Sequence, residues 1–283
     1  MGLGDDIMAT AVAKIEKEKY PDRQIVIGDF EKKIGYESII YKNNPYIADQ
    51  KDLDKNKIVH FVNIHKNNRP YINLEKTNSK NYVWNENFKI LVGQIFFSKT
   101  EIDISKKIIE NAKLFWNKKN KKNFKGIIFI ESSSTKFAEK AYFYKQKNLD
   151  WGYDNWLKLV KELSQDFLFI QSVHKETIKL PNIFYCETDF RAASSVINEC
   201  DLYIGQHGGF AHAAAALGKK AVIYFGGWVS PNILGYDFHK NIFVDIDGSP
   251  CGAKGYECQH CIECKKLITI DLMTKFINNE IIR

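Results

Sequence analysis

Leu202-Tyr203-Ile204-Gly205-Gln206-His207-Gly208-Gly209-Phe210-Ala211-His212-Ala213-Ala214-Ala215-Ala216-Leu217-Gly218 reads as an apolar strand, a glycine turn and an alanine-rich helix. Short strands that are apolar throughout belong to parallel sheets covered on both faces. The same kind of run recurs at Gly126 to Ile130, Phe167 to Ile170, Ile183 to Cys186 and Ala221 to Phe225. Helical spacing separates some of them. Tyr153 to Leu163 carries Trp156, Leu159, Val160 and Leu163 on one side, and further helices fall near Phe190 to Asn198 and over Ala211 to Leu217. Strands alternating with helices predict a doubly wound α/β unit.

Ahead of it the alternation is looser. Ile7 to Lys19 reads as a helix ended by Pro21-Asp22, Gln24 to Gly28 and Ile58 to Val62 as strands, and Ile104 to Trp116 as a helix. A Lys/Asn stretch without apolar periodicity follows, so the expected organisation is residues 1–118, a linker over 119–125, and residues 126–283. Two doubly wound domains facing each other would form a cleft lined by the loops after their strands. No repeat of solenoid period is present.

The composition fits a soluble globular chain: 283 residues, 45% hydrophobic and 27% charged. No apolar run approaches the ~18 residues of a membrane span, and Met1 to Asp6 does not have the pattern of a signal peptide. A cytoplasmic protein is expected. The net charge of +7 suits an anionic partner, whether a phosphorylated ligand or an acidic membrane surface. Nucleic acid is disfavoured because the lysines lack interleaved aromatic platforms.

Gly208 and Gly209 let backbone approach a ligand, and free N–H groups at the following helix start suit a phosphate or pyrophosphate. His212, one turn on, is placed to lie over the same spot. The plain alternative is a tight turn followed by a packed histidine. Gly2-Leu3-Gly4-Asp5-Asp6 repeats the pattern with carboxylates, which suit either a general base or an N-cap.

Cys251, Cys258, Cys261 and Cys264 have the spacing of a metal knuckle. Four thiolates suit tetrahedral zinc or, as second choice, iron, in a structural site without an open position. His260 could replace one of them. Cys186 and Cys200 read as buried small hydrophobes.

Phe190-Arg191-Ala192-Ala193, Gly205 to Gly218, Val222-Ile223-Tyr224-Phe225-Gly226 and the start, Gly4-Asp5-Asp6-Ile7-Met8-Ala9-Thr10, together resemble the ADP-heptose:lipopolysaccharide heptosyltransferase family, glycosyltransferase family 9. The resemblance implies a GT-B fold with an acceptor-binding N-terminal domain and a nucleotide-sugar-binding C-terminal domain. It implies inverting transfer without a divalent cation, with Asp5 as general base and Asp6 as fallback. It further implies donor contacts from Ser132, Ser133, Ser134, Gln206, His207, Gly208, Gly209 and His212. Lys147 is the lysine chosen to meet leaving-group charge, with Lys145 close behind; either could be a solvated surface lysine. Some relatives carry clustered cysteines in the same region, including iron-bearing ones, and the family acts at the cytoplasmic face of the inner membrane.

Three departures stand out. His207-Gly208-Gly209 occupies the place of the family's Asp-Ser-Gly, which leaves the donor sugar open. The chain begins at the first glycine turn, where the family has a preceding strand, so a gap in the N-terminal sheet and a poorly anchored Asp5 are expected. Gly226 to Pro231 and Gly235 to His239 look like a branch of the family. The leading reading is a nucleotide-sugar glycosyltransferase acting on a cell-surface glycan or lipopolysaccharide. The alternatives are a nucleotide-sugar epimerase and a catalytically silent nucleotide- or glycan-binding protein.

Overall fold

The computed structural model describes residues 2–63, 69–132, 135–136, 144–145, 147–174, 177–254 and 258–282. In chain order the N-terminal part holds α1 (Leu3–Lys19), β1 (Gln24–Asp29), β2 (Ile34–Gly35), β3 (Val59–Val62) and α2 (Lys99–Lys119). Next come β4 (Ile127–Glu131), β5 (Thr135–Lys136), β6 (Tyr144–Lys145), α3 (Tyr153–Leu163), β7 (Leu168–Val173) and β8 (Phe184–Glu187). The chain closes with α4 (Phe190–Asn198), β9 (Leu202–Gln206), α5 (Gly209–Ala216), β10 (Ala221–Gly226), α6 (Pro231–Leu234), β11 (Lys240–Phe243), α7 (Gln259–Leu267) and α8 (Ile270–Ile282).

The second half is the doubly wound unit that the apolar strands predict. Six strands pair in parallel in the order β11-β10-β9-β4-β7-β8. Side chains alternate across the sheet. Phe129, Ile170, Tyr203, Ile223 and Phe225 join a core with residues of α2, α4 and α5, whereas Ile128, Phe169, Ile204, Val222 and Tyr224 join one with α3 and α8. The chain winds from β4 outward to β8, then returns to place β9 on the other side of β4. The switch point therefore lies between β4 and β9, and the carboxyl ends there, Glu131-Ser132 and Gln206-His207, open onto the crevice where such sheets take ligands.

The first sheet is smaller. β1 pairs in parallel with β3 and antiparallel with β2, and α1 covers one face through Ala9 and Ala13 against Ile25, Ile27 and Val62. Residues 71–97 then run largely without regular structure. Part of that segment lies so close on α1 that a Cβ on Gly93 would sit 2.1 Å from the Ile7 carbonyl oxygen, and Thr10 Oγ1 accepts from Gln94 N–H at 2.7 Å.

α2 extends past both ends of the stretch read from spacing. Ser98 caps it, with Glu101 reaching back to the Ser98 N–H at 2.7 Å to complete a capping box. Its buried residues, Ile109, Ala112 and Trp116, pack in the core of the six-stranded sheet, not of the first. α2 therefore packs on the second sheet although it precedes the charged stretch after Lys119 in the chain.

Arg191 of α4 ties these layers together. Its guanidinium donates to Glu101 Oε1 of α2 at 2.6 Å, to the Ile39 carbonyl at 3.0 Å and to the Phe96 carbonyl. The Arg191 guanidinium holds the Glu101 carboxyl down to about 2. Truncating one partner strands the other's charge, so Arg191→Ala should lower unfolding free energy by about 3–5 kcal/mol, read by denaturant titration. A depressed carboxylate contributes stability above its unfolded value and loses it as pH falls. Stability should accordingly drop between about pH 4.5 and 2, and this acid limb should shrink in Glu101→Gln.

Candidate functional site

The two glycine turns, far apart in the sequence, meet. A Cβ on Gly4, in the first turn of α1, would lie 2.7 Å from His212 Cδ2 and 3.3 Å from Gly209 Cα, so only glycine permits the approach. On the far side of Gly209 an added Cβ would strike the Phe190 ring at 2.9 Å, and Phe190 stacks on Phe210 at 4.5 Å. The N-termini of α1 and α5, each with unsatisfied N–H groups and a positive dipole end, are packed side by side.

Asp5 and Asp6 both sit in the first turn of α1. Gly2 occupies the cap position without a side-chain hydrogen bond, so neither carboxylate is an N-cap. The expectation of a poorly anchored Asp5 is overturned: Tyr71 O–H donates to Oδ1 at 2.6 Å and Arg69 Nη2 lies 3.6 Å from Oδ2. Burial, followed by the Asp5 charge, pushes the Tyr71 phenol up, so it remains a donor. Asp6 is only 7% exposed and accepts from Ser38 Oγ at 2.7 Å and Tyr41 O–H at 3.3 Å. Burial raises its carboxyl above the ordinary value, against the pull of those two hydrogen bonds. Asp6 fastens α1 to the 38–41 segment, and Asp5 faces a cation and a phenol.

Ser38 and Tyr41 also line a cavity of about 700 Å³ beside β1 and β2, together with Tyr36, Asn44 and Gln50. The Asn44 Nδ2 group is buried without a hydrogen-bond partner among the described residues.

Across the junction, Gln206 ends β9 at 2% exposure, and neither atom of its amide has a hydrogen-bond partner among the described residues. Leaving such a group unsatisfied costs about 1–3 kcal/mol, so it marks a place where a ligand or water would be held. The His207 ring lies 4.9 Å from that of Phe225 and stands perpendicular to that of His212 at 5.6 Å. Gly208 is extended, with φ of 167°, and Gly209 opens α5. Ser132 is buried and accepts from Gln171 Nε2 at 3.1 Å. Ser133 and Ser134 lie outside the described residues; Lys145 falls in β6 and Lys147 in the 3₁₀ turn Lys147–Leu149.

In the cysteine cluster, Cys251, Cys258, His260 and Cys261 place one donor atom each within 4.8 Å of one another. Their Sγ···Sγ separations are 3.4 Å for Cys251–Cys261, 3.2 Å for Cys258–Cys261 and 3.8 Å for Cys251–Cys258. Tetrahedral metal–sulfur bonds of about 2.3 Å imply edges of about 3.8 Å, so this donor set fits zinc or iron. Hydrogen bonding from Cys261 pulls the Cys251 thiol down to about 5, which favours the thiolate a metal needs. Cys264 lies outside the group of four: it is one turn further along α7, fully buried, with Sγ 3.7 Å from His260 Nε2. His260 is thus the fourth donor within this reach, and Cys264, which cysteine spacing groups with the other three, lies beside it. Cys186 and Cys200 are buried elsewhere, as expected.

The cluster is clamped from the first half of the chain. Asn81 Nδ2 donates to the Cys251 carbonyl at 2.7 Å, Tyr82 N–H to that of Gly252 at 2.8 Å, and Trp84 Nε1 to that of Trp228 at 3.1 Å. Sequence reading missed these residues, along with Arg69 and Tyr71, because they lie in a stretch without periodicity or motif.

Metal analysis of purified protein should find zinc or iron bound, with His260→Ala and Cys261→Ser losing most of it and Cys264→Ala retaining it. Because the metal would brace a loop shared by both halves, chelation should lower the midpoint of global thermal unfolding.

No protein-family model matches the chain, and no curated protein does. Solved structures do. The glycosyl transferase family 9 protein from Veillonella parvula is 10% identical, with a TM-score of 0.58 over 100% of this chain and 95% of its own. The iron-containing dodecameric glycosyltransferase TibC from enterotoxigenic E. coli is 13% identical, with a TM-score of 0.56 over 99% of this chain and 73% of its own. For E. coli ADP-heptose lps heptosyltransferase II the identity is 17% and the TM-score 0.44, over 69% of this chain and 55% of that protein. The chain has the GT-B fold of these glycosyltransferases.

Proposed function

We propose that this chain is an inverting glycosyltransferase that moves a sugar from a nucleotide-sugar donor to a glycan or lipid-linked glycan acceptor. The observation that carries the reading is the junction of the α1 and α5 N-termini, where Gly4 touches Gly209 and His212 and Asp5 stands in the adjoining turn. The diphosphate of the donor lies against the N–H groups of Gly208 and Gly209, with the buried Gln206 amide supplying a further contact. Ser132, Ser133, Ser134, His207, His212 and Lys147 complete the donor site. The acceptor enters from the side of the first sheet, and the polar cavity next to Asp6 is suited to one of its sugar units.

The acceptor hydroxyl attacks the anomeric carbon on the face opposite the diphosphate. Asp5 takes the hydroxyl proton as the new C–O bond forms. The old C–O bond breaks with its electron pair passing to the diphosphate oxygen. Helix N–H groups meet that charge, so no divalent cation is required. The first unit, residues 1–118, holds acceptor, and residues 126–283 hold donor. The metal braces the Cys251–Cys261 loop and takes no part in transfer. The basic surface suits peripheral contact with the cytoplasmic face of an anionic inner membrane.

Thermal shift against a panel of nucleoside diphosphates and nucleotide sugars should single out one nucleotide, after which transfer to glycan acceptors is assayed. Asp5→Asn should then reduce transfer about 10²- to 10⁴-fold, the range for loss of a general base, with nucleotide affinity near that of the parent. Undiminished transfer in Asp5→Asn would remove Asp5 as the base. A selective nucleotide shift without transfer to any acceptor would favour a silent binding protein, the reading suggested by His207 in place of an acid.

A further inference from the structure

The segment between α6 and β11 carries a buried tyrosine, Tyr236, whose hydroxyl reaches back to α5. Tyr236 O–H lies 3.0 Å from His212 Nδ1, and both residues are buried. Among the described residues that nitrogen is the hydroxyl's one hydrogen-bond partner. A buried phenol O–H that fails to donate is left unsatisfied at a cost in free energy, and burial pushes the Tyr236 phenol up, so the proton stays on oxygen. Tyr236 therefore donates and Nδ1 accepts. A neutral imidazole that accepts at one nitrogen carries its proton on the other.

The opposite edge of the ring faces the helix junction. A Cβ on Gly4 would lie 2.7 Å from His212 Cδ2 and 3.5 Å from Nε2. The nearby titratable groups do not compete for the hydroxyl. His239 packs on Tyr236 at 5.5 Å, is held down to about 4 by burial, and directs Nε2 to the Lys219 carbonyl at 3.1 Å. His207 meets His212 ring edge to face on another side.

We infer that Tyr236 is a positioning residue that locks His212 in the Nε2–H tautomer, so that an N–H is presented between the N-termini of α1 and α5 as a donor to an anionic diphosphate. The assignment of the anion rests on the proposed glycosyltransferase reading; the tautomer does not. With the N–H aimed there, the ring adds a neutral donor to the helix N–H groups, and the reaction finds it already oriented.

Long-range ¹H–¹⁵N correlation spectra of histidine-labelled protein, with His212→Gln identifying the His212 signals, read the tautomer directly. The expected wild-type pattern is a single Nε2–H form. Tyr236→Phe should convert it to a mixture of tautomers or to the cation. It should also weaken binding of the selected nucleoside diphosphate and slow transfer, each about tenfold or more, as loss of a group that orients another commonly does. An Nδ1–H form in the wild type, or an unchanged pattern in Tyr236→Phe, overturns the inference. Should Tyr236→Phe not fold, the wild-type spectrum alone decides it. An Nε2–H tautomer in a protein that binds no nucleoside diphosphate would leave Tyr236 as the lock and remove the anion and the glycosyltransferase reading with it.

Discussion

Two helix N-termini pressed against each other constitute an electrostatic problem, since like ends of two dipoles repel and both leave N–H groups unsatisfied. The contact exists because Gly4 and Gly209 have no side chains and because the His212 ring fills the space beside them. What relieves it is negative charge. Asp5 and Asp6 supply it from within the chain. The rest of the site is arranged around that contact: Tyr71 and Arg69 hold Asp5, Ser38 and Tyr41 hold Asp6, and Tyr236 holds His212.

The same contact explains why the two sheets are joined so firmly. α1 covers the first sheet and abuts α5 of the second, while α2 crosses over to pack on the second sheet's core. Arg191 bonds α2, the 39 carbonyl and the 96 carbonyl at once, and the 81–84 segment grips the loop that carries Cys251. A buried arginine with all three guanidinium nitrogens engaged is costly to disrupt and geometrically exacting. It fixes the spacing on which a cleft between sheets depends.

The cysteine cluster belongs to this bracing. Its ligand loop is backed by Trp228, whose indole N–H donates to the Ala253 carbonyl at 2.8 Å, and by Asn148, which bonds the same carbonyl. Both indoles, Trp84 and Trp228, pack edge to face at 4.9 Å across the halves. A metal there would tighten a seam that hydrogen bonds and aromatic packing already define.

Much of the second half was legible in sequence. Apolar strands such as Ile127 to Ile130 and amphipathic helices such as Tyr153 to Leu163 carry their period locally, and the glycine turn at Gly208-Gly209 announces a helix start. The clustering of Cys251, Cys258 and Cys261 was legible in the same way. Strand order was not legible, and with it the switch point between β4 and β9, because it arises from pairing between distant segments. Sequence offered His260 as a substitute for one cysteine without saying which; spacing counts residues, whereas the donors that come within reach of one another depend on which side of α7 each faces. Arg69, Tyr71 and Tyr236 carry no local signal either; they acquire roles only because folding brings them to Asp5 and His212. The sequence by itself determined the elements and the residue types able to do chemistry, since both are properties of short stretches. Only the tertiary structure decided which of those residues meet, since Gly4 and Gly209 come together from positions 205 residues apart in the sequence.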